Sequence, residues 1–186
     1  MRIISGKFKG FKLQFLKSSI TRPLKDSVRE NVFNILTHSK KIDINIEKST
    51  ILDLYSGIGS FGLECASRGA SKVTFVEKNL QAMKILEKNV TNLKISNQTK
   101  LINTEVENLD LKSKKEKYNV IFFDPPFVDK NFIKIIKIIY ESKILSKNHI
   151  IVIHREKRSK DNFDIHLKIL ISKIYGRSKI FFCKFN

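Results

Sequence analysis

The chain has 186 residues, 41% of them hydrophobic, and 36 Lys+Arg against 18 Asp+Glu give a formal net charge of +18. That length and apolar share suit one domain with its own core and exclude a disordered chain, while seven Gly and three Pro exclude collagen-like and low-complexity classes. The charge points to a polyanion such as RNA or DNA, although 29 Lys against 7 Arg, beside abundant Ile and Asn, is also what A/T-rich codons produce.

Residues 2–14 read as two short strands around Gly6 and Gly10, a β-hairpin at the N-terminus. Residues 15–24, with Pro23, read as a loop. Ser27 and Glu30 fit a capping box, and Val28, Val32, Ile35 and Leu36 continue it as a helix. A polar linker over 38–49 follows, so 1–40 forms an N-terminal extension and 50–186 the core of a single domain. Strands are expected at 50–55, 72–77, 100–103, 118–123 and 150–154, with helices at 60–68, 80–93 and 131–142 between them. Two last strands, 166–174 and 179–185, meet at Tyr175-Gly176-Arg177. Strand–helix alternation predicts an α/β fold with a parallel sheet covered on both faces, and the closing pair makes it a mixed seven-stranded sheet. Ligands in such folds bind beyond the carboxyl ends of the strands, where strand order reverses.

The most apolar stretch, 132–140, is interrupted by Lys134 and Lys137, which argues against a membrane span. Arg2, Lys7, Lys9 and Lys12 leave no apolar core for a signal peptide. Cys65 and Cys183 lack CxxC spacing and read as buried apolar residues in a reducing cytoplasm. The four histidines show no metal-ligand spacing, so no metal is expected.

After the first core strand comes Asp53-Leu-Tyr55-Ser56-Gly57-Ile-Gly59-Ser-Phe-Gly62, a GxGxxG at a strand-to-helix junction. Its glycines allow a tight turn and close approach to a ligand. Glu77 ends the next strand, 20 residues after Gly57, a spacing that sets a carboxylate against a ribose diol. Asp53 beside the loop suits a cationic group, such as the amine of S-adenosylmethionine, better than a pyrophosphate.

Strand 118–123 runs into Asp124-Pro125-Pro126-Phe127. The prolines lack N–H donors and turn carbonyls outward. With the Asp carboxylate they can accept both protons of a planar amine, while Phe127 stacks on its ring for ~1–3 kcal/mol. Localising the amine's lone pair in this way makes it a nucleophile for an in-line methyl transfer governed by positioning and electrostatics. The target base must be unpaired or flipped out.

With both motifs in place, the chain resembles class I methyltransferases that use S-adenosylmethionine and act on amino groups. More closely, it resembles the RsmD family, over nearly its full length: RIISGKFKGFKL, TRPLKDSVRENVFNIL, LDLYSGIGSFGLECASRGA, VTFVEKN and FFDPPF. The RP…VRE…FN…L segment discriminates, because other methyltransferases share only the later motifs. The resemblance implies a Rossmann-like methyltransferase fold and guanine(966)-N(2) methylation of 16S ribosomal RNA in the small subunit, by a cytoplasmic chain read as a monomer. Cofactor contacts would come from Asp53, Tyr55, Ser56, Gly57, Gly59, Glu77, Lys78 and Glu105. The guanine amine would be held by Asp124, Pro125, Pro126 and Phe127, and RNA by Arg2, Lys7, Lys9, Lys12, Arg22 and Lys25. Two departures stand out. Asn103-Thr104-Glu105 lies where related enzymes place an Asp for adenine, and His154-Arg155-Glu156 lies where an acidic residue is common. Alternatives left open are DNA adenine-N6 or protein glutamine methylation, a non-catalytic RNA binder, and a dinucleotide oxidoreductase.

Overall fold

The computed structural model describes residues 1–15, 24–111, 116–126, 129, 131–159, 161, 163 and 166–185. Its backbone follows the order α1 (Asp26–His38), β1 (Thr50–Leu54), α2 (Ser60–Ser67), β2 (Lys72–Glu77), α3 (Leu80–Asn92), β3 (Thr99–Asn103), β4 (Tyr118–Phe123), α4 (Phe132–Glu141), β5 (Leu145–Glu156), β6 (Leu167–Tyr175) and β7 (Ser178–Phe185). The seven strands form one sheet in the order β3-β2-β1-β4-β5-β7-β6. The first five pair in parallel, whereas β7 runs antiparallel to both β5 and β6. Strand order therefore reverses between β1 and β4, and the loops after these two strands share one rim of the sheet.

Period-two alternation sorts each strand's residues between two cores. Ile51, Val73, Phe75, Val120, Phe122, Val152, Ile180 and Phe182 pack on one face with α1, α2 and α3. Leu52, Leu54, Val76, Ile121, Phe123, Ile151, Ile153 and Phe181 pack on the other, mainly with α4. The rings of Phe33, Phe61 and Phe122 stack in sequence, joining α1, α2 and β4. Helices thus cover both faces, as the alternation predicts.

Several boundaries differ from expectation for identifiable reasons. The N-terminal hairpin is a single antiparallel bridge, Arg2 with Lys12, rather than two strands. Across it Ile3 donates to the Phe11 carbonyl, Gly10 to that of Ile3 and Leu13 to that of Met1, while other amides turn to α2. Ile4 and Ser5 donate to the buried Glu64 carboxylate (2.8 and 3.0 Å), Lys7 donates to the Ser67 carbonyl (2.7 Å), and Phe8 donates to Ser67 Oγ (3.0 Å). Gly6 is obligatory there: its φ is +82°, and a Cβ would stand 1.9 Å from the Ser67 carbonyl oxygen. Arg29, buried in α1, reaches the Arg2 carbonyl and Asp26 and completes the anchor. Burial is the main cause that lowers its pKa. The capping box does not form, because α1 starts at Asp26 and Ser27 lies inside it, with no side chain capping the end. The expected linker over 38–49 buries Ile42, Ile46 and Ser49. Strand β5 begins at Leu145, five residues before the apolar run, and the pairing shifts between Tyr118–Leu145 and Val120–Ile150 to absorb exposed Lys147 and Asn148. The loop expected over 15–24 lies largely outside the described residues.

Candidate active site

The loop after β1 is held by backbone donors. Asp53 is buried, and its Oδ2 accepts from the Gly62 amide at 2.9 Å, tying β1 to the first turn of α2. Its Oδ1 is also buried and has no hydrogen-bond partner among the described residues; neither has Ser56 Oγ. Burial raises the Asp53 pKa well above the usual carboxylate range; the Gly62 bond opposes this, and the charges of Asp124 and Glu77 reinforce it. Tyr55 turns the chain at φ +57°, and the Ser56 amide donates to the Val76 carbonyl (3.0 Å). Glu77 then accepts from the Gly57 amide through Oε2 (2.8 Å) and from the Asn79 amide through Oε1 (2.7 Å).

The three glycines divide into two roles. A Cβ on Gly59 would lie 2.4 Å from Leu86 Cδ1, and one on Gly62 would lie 2.3 Å from Phe75 Cε1, so both allow α2 to seat on the sheet. Gly57, at φ +54°, faces open space. Of the three, only Gly57 leaves its backbone uncovered.

Around this loop, the Tyr55 hydroxyl donates to Glu107 Oε1 (3.1 Å); burial first, then Glu107 and Asp129, raise its pKa. Asn103 Nδ2 donates to the Glu77 carbonyl (2.8 Å), bracing the end of β2. Lys78 and Glu105 are exposed and form an ion pair at 3.4 Å on the same rim. Asn108 Nδ2 also reaches Glu105, at 3.4 Å.

The loop after β4 is held differently. The Asp124 amide donates to the Leu54 carbonyl (3.4 Å), keeping this loop beside the end of β1. The carboxylate, one-quarter exposed, presents Oδ1 to His154 Nδ1 at 2.7 Å, and His154 Nε2 lies 2.9 Å from Ser178 Oγ. Pro125 is buried and Pro126 exposed. The Pro126 carbonyl accepts from the Asp129 amide (2.9 Å) and from Arg155 Nη1 (3.1 Å), so it faces the protein and not an incoming base. Arg155 also donates to the Asp129 carbonyl (3.2 Å), pairs with both carboxylate oxygens of Asp161, and lies over the Phe132 ring. Phe127 lies outside the described residues. The sequence alone gives His154 and Arg155 no role and does not mark Ser178 or Asp161. Their only signal was two polar residues ending an apolar strand, and the partners are named by strand register alone.

The basic candidates divide in the same way. Arg2, Lys7, Lys9, Lys12 and Lys25 are exposed, and Arg22 lies outside the described residues. Lys7 is bonded beside Ser67, the last residue of α2, whereas the Asp53–Gly57 loop precedes the first. Eight helical residues, about 12 Å, separate the hairpin tip from the rim. Among the described residues no group of three or more His, Cys, Asp or Glu could hold a metal, and no helix is long and apolar enough to cross a membrane.

A family model described as conserved hypothetical protein 95 matches residues 1–184. Ribosomal RNA small subunit methyltransferase D of Haemophilus influenzae is 36% identical over 159 residues, covering 84% of this chain and 79% of that protein. Among solved structures, the yhhF chain of Escherichia coli superposes with a TM-score of 0.83 at 26% identity, covering 100% of this chain and 97% of that one. A Haemophilus influenzae structure gives a TM-score of 0.77 at 31% identity, covering 98% and 96%.

Proposed function

The chain belongs to the RsmD family, described as conserved hypothetical protein 95, and on that premise we propose that it methylates the exocyclic N2 amine of a guanine in small-subunit ribosomal RNA with S-adenosylmethionine. The observation that carries this reading is the adjacency of two loops at the switch point: the Gly57 loop after β1 and Asp124 after β4, joined by the Asp124 amide on the Leu54 carbonyl.

The residues present fit the cofactor. The buried, unpartnered Asp53 Oδ1 and Ser56 Oγ are polar atoms awaiting a donor or acceptor, and an ammonium group satisfies the first. Glu77 keeps unused lone pairs for ribose hydroxyls while its two backbone bonds fix its orientation. Tyr55, Gly57 and Gly59 shape the loop, and Lys78 and Glu105 flank the adenine side. Bound S-adenosylmethionine supplies an electrophilic methyl group on a sulfonium.

The remaining chemistry belongs to this chain. Asp124 Oδ2 and the Pro125 carbonyl accept the two protons of the guanine amine and localise its lone pair. The Pro126 carbonyl is occupied by Arg155 and takes no part. Phe127 stacks on the base. As the nitrogen gains the methyl carbon it becomes strongly acidic, and Asp124 takes its proton. Arg2, Lys7, Lys9, Lys12, Arg22 and Lys25 hold the RNA of the small subunit, on which the chain acts in the cytoplasm as a monomer.

The test is to incubate the protein with methyl-labelled S-adenosylmethionine and small subunits from a strain lacking the gene, followed by nucleoside analysis. Label in N2-methylguanosine is the expected result. Label in DNA adenine or protein glutamine would transfer the activity to another substrate, and no incorporation would overturn the reading.

A further inference from the structure

Residues 154 and 155 are consecutive on β5, so their side chains leave opposite faces of the sheet. Both turn to the same loop. From one face His154 holds the Asp124 carboxylate at 2.7 Å; from the other Arg155 holds the carbonyls of Pro126 and Asp129 at 3.1 and 3.2 Å. Each brace has its own support. Ser178 Oγ, on β7, lies 2.9 Å from His154 Nε2, and Asp161 grips Arg155 through both oxygens at 3.0 and 3.1 Å. Both residues are almost fully buried, at 4% and 1% exposure, which a polar side chain tolerates only when its groups are satisfied.

We propose that His154 and Arg155 are positioning residues, a two-sided brace that sets Asp124 and the Pro125 carbonyl as the paired acceptors for the target amine. The proposal rests on Asp124 acting as proton acceptor. An ionised carboxylate only accepts, so Nδ1 carries the imidazole proton and donates it to Asp124 Oδ1. Ser178 can then donate to Nε2 and fix that tautomer. Oδ1 is thereby committed and Oδ2 is left for the amine. The carboxylate cannot rotate away without breaking a charge-assisted bond. On the far side, Arg155 keeps the Pro126 carbonyl turned inward, and with φ locked by the proline ring this limits how the Pro125 carbonyl can turn. Arg suits this place better than Lys, because one planar guanidinium spans two carbonyls and a carboxylate while resting on Phe132.

The test separates positioning from packing by the rank order of two variants. His154→Asn keeps a donor near the Nδ1 position, whereas His154→Leu keeps apolar bulk and no donor. A positioning role predicts that His154→Leu loses roughly 10²-fold in kcat, the scale of a misplaced reacting group, while S-adenosylmethionine binding by calorimetry stays within about two-fold. His154→Asn should recover most of that loss. A packing role predicts the opposite order, since Leu is the better tolerated buried residue. Leu equal to or better than Asn in kcat would overturn the proposal, as would loss of cofactor binding in both. Arg155→Lys should also lower kcat with cofactor affinity retained, and an unchanged kcat would remove that arm of the brace. A readout independent of turnover is the nitrogen NMR spectrum of His154. Protonation on Nδ1 is expected in the wild type, with redistribution to Nε2 in Asp124→Ala, and a wild-type ring protonated on Nε2 would overturn the proposal. If the wild type makes no N2-methylguanosine, the substrate assignment fails, while the tautomer still decides whether His154 braces Asp124.

Discussion

The two halves of the rim solve the same problem by different means. After β1 and β2, carboxylates are fixed by main-chain amides: Gly62 on Asp53, and Gly57 and Asn79 on Glu77. After β4, a carboxylate and a carbonyl are fixed by side chains of β5, themselves fixed by Ser178 and Asp161. Main-chain bracing depends on the loop's shape, so it needs glycine at set places and leaves side chains free to vary. Side-chain bracing depends on particular donors that arrive from far along the chain. The first arrangement builds a receptor whose shape is preset, and the second aims individual acceptor atoms.

If that division holds, removing the aimed atom should damage turnover alone. Asp124→Ala is expected to lower kcat by about 10² to 10⁴-fold, the usual contribution of a proton acceptor, with cofactor affinity retained; near-normal turnover would refute its role. On the main-chain side the damage should fall on stability first. Gly59→Ala combines a φ of +83° with a Cβ 2.4 Å from Leu86, and should cost about 2–4 kcal/mol in urea unfolding as strain and overpacking add. Gly57→Ala meets no neighbour, so it should cost only about 1–2 kcal/mol for its positive φ and instead weaken cofactor binding. Equal destabilisation by the two would erase the distinction between packing and ligand-facing glycines.

Why one half of the rim was legible in the sequence and the other was not follows from these distances along the chain. Asp53, Gly57, Gly62 and Glu77 interact over 20 residues or fewer, at spacings set by one strand-turn-helix-strand unit. A pattern of residue types therefore reveals them. Asp124 was legible as well, because its prolines mark the loop. Its partners were not: His154 is 30 residues away, and Ser178 is a further 24 on a strand whose register no local pattern sets. The alternation of β5 shows only that 154 and 155 face opposite ways. The N-terminal segment differs in extent for a related reason. Its hairpin-like pairing is present but stays a single bridge, while Glu64 and Ser67 of α2 take the amides of Ile4, Ser5, Lys7 and Phe8, contacts that no local pattern reveals.

Asp53 links the halves, since Asp124 and Glu77 both disfavour its charge after burial has done so. Its pKa is raised in the folded chain above the ordinary carboxylate value. The unfolded chain therefore releases this proton first. The stabilising contribution is full below about pH 4 and is lost as pH rises through the folded pKa. Asp53→Asn keeps an acceptor for Gly62 and removes the penalty. In the cofactor-free protein its melting temperature should exceed wild type by a margin that grows with pH, ~2–4 °C for each kcal/mol relieved. A margin independent of pH would place the strain elsewhere. Cofactor affinity should fall in the same variant, because the negative oxygen that complements an ammonium group is gone.

The smallest effects belong to the region that neither half of the rim touches. The net charge of +18 is spread over many exposed lysines, and the hairpin tip stands about 12 Å of helix away from the Gly57 loop. Reversing Lys7 and Lys9 to Glu should leave cofactor affinity and stability nearly unchanged, because both side chains are exposed and the anchor uses the Lys7 amide, not its ammonium. What should change is the dependence of RNA affinity on salt, which flattens by about 0.7 per lost phosphate contact on single-stranded RNA. The comparison that gives this meaning is reversal at Lys134 and Lys137 on α4, which carry equal charge on a helix packed against the opposite face of the sheet from the hairpin. A larger change at Lys7 and Lys9 makes the hairpin a footprint for RNA. Equal changes at both places would mean that the lysines act only as a diffuse field, and that selection among RNA sites falls to the loop held by His154 and Arg155.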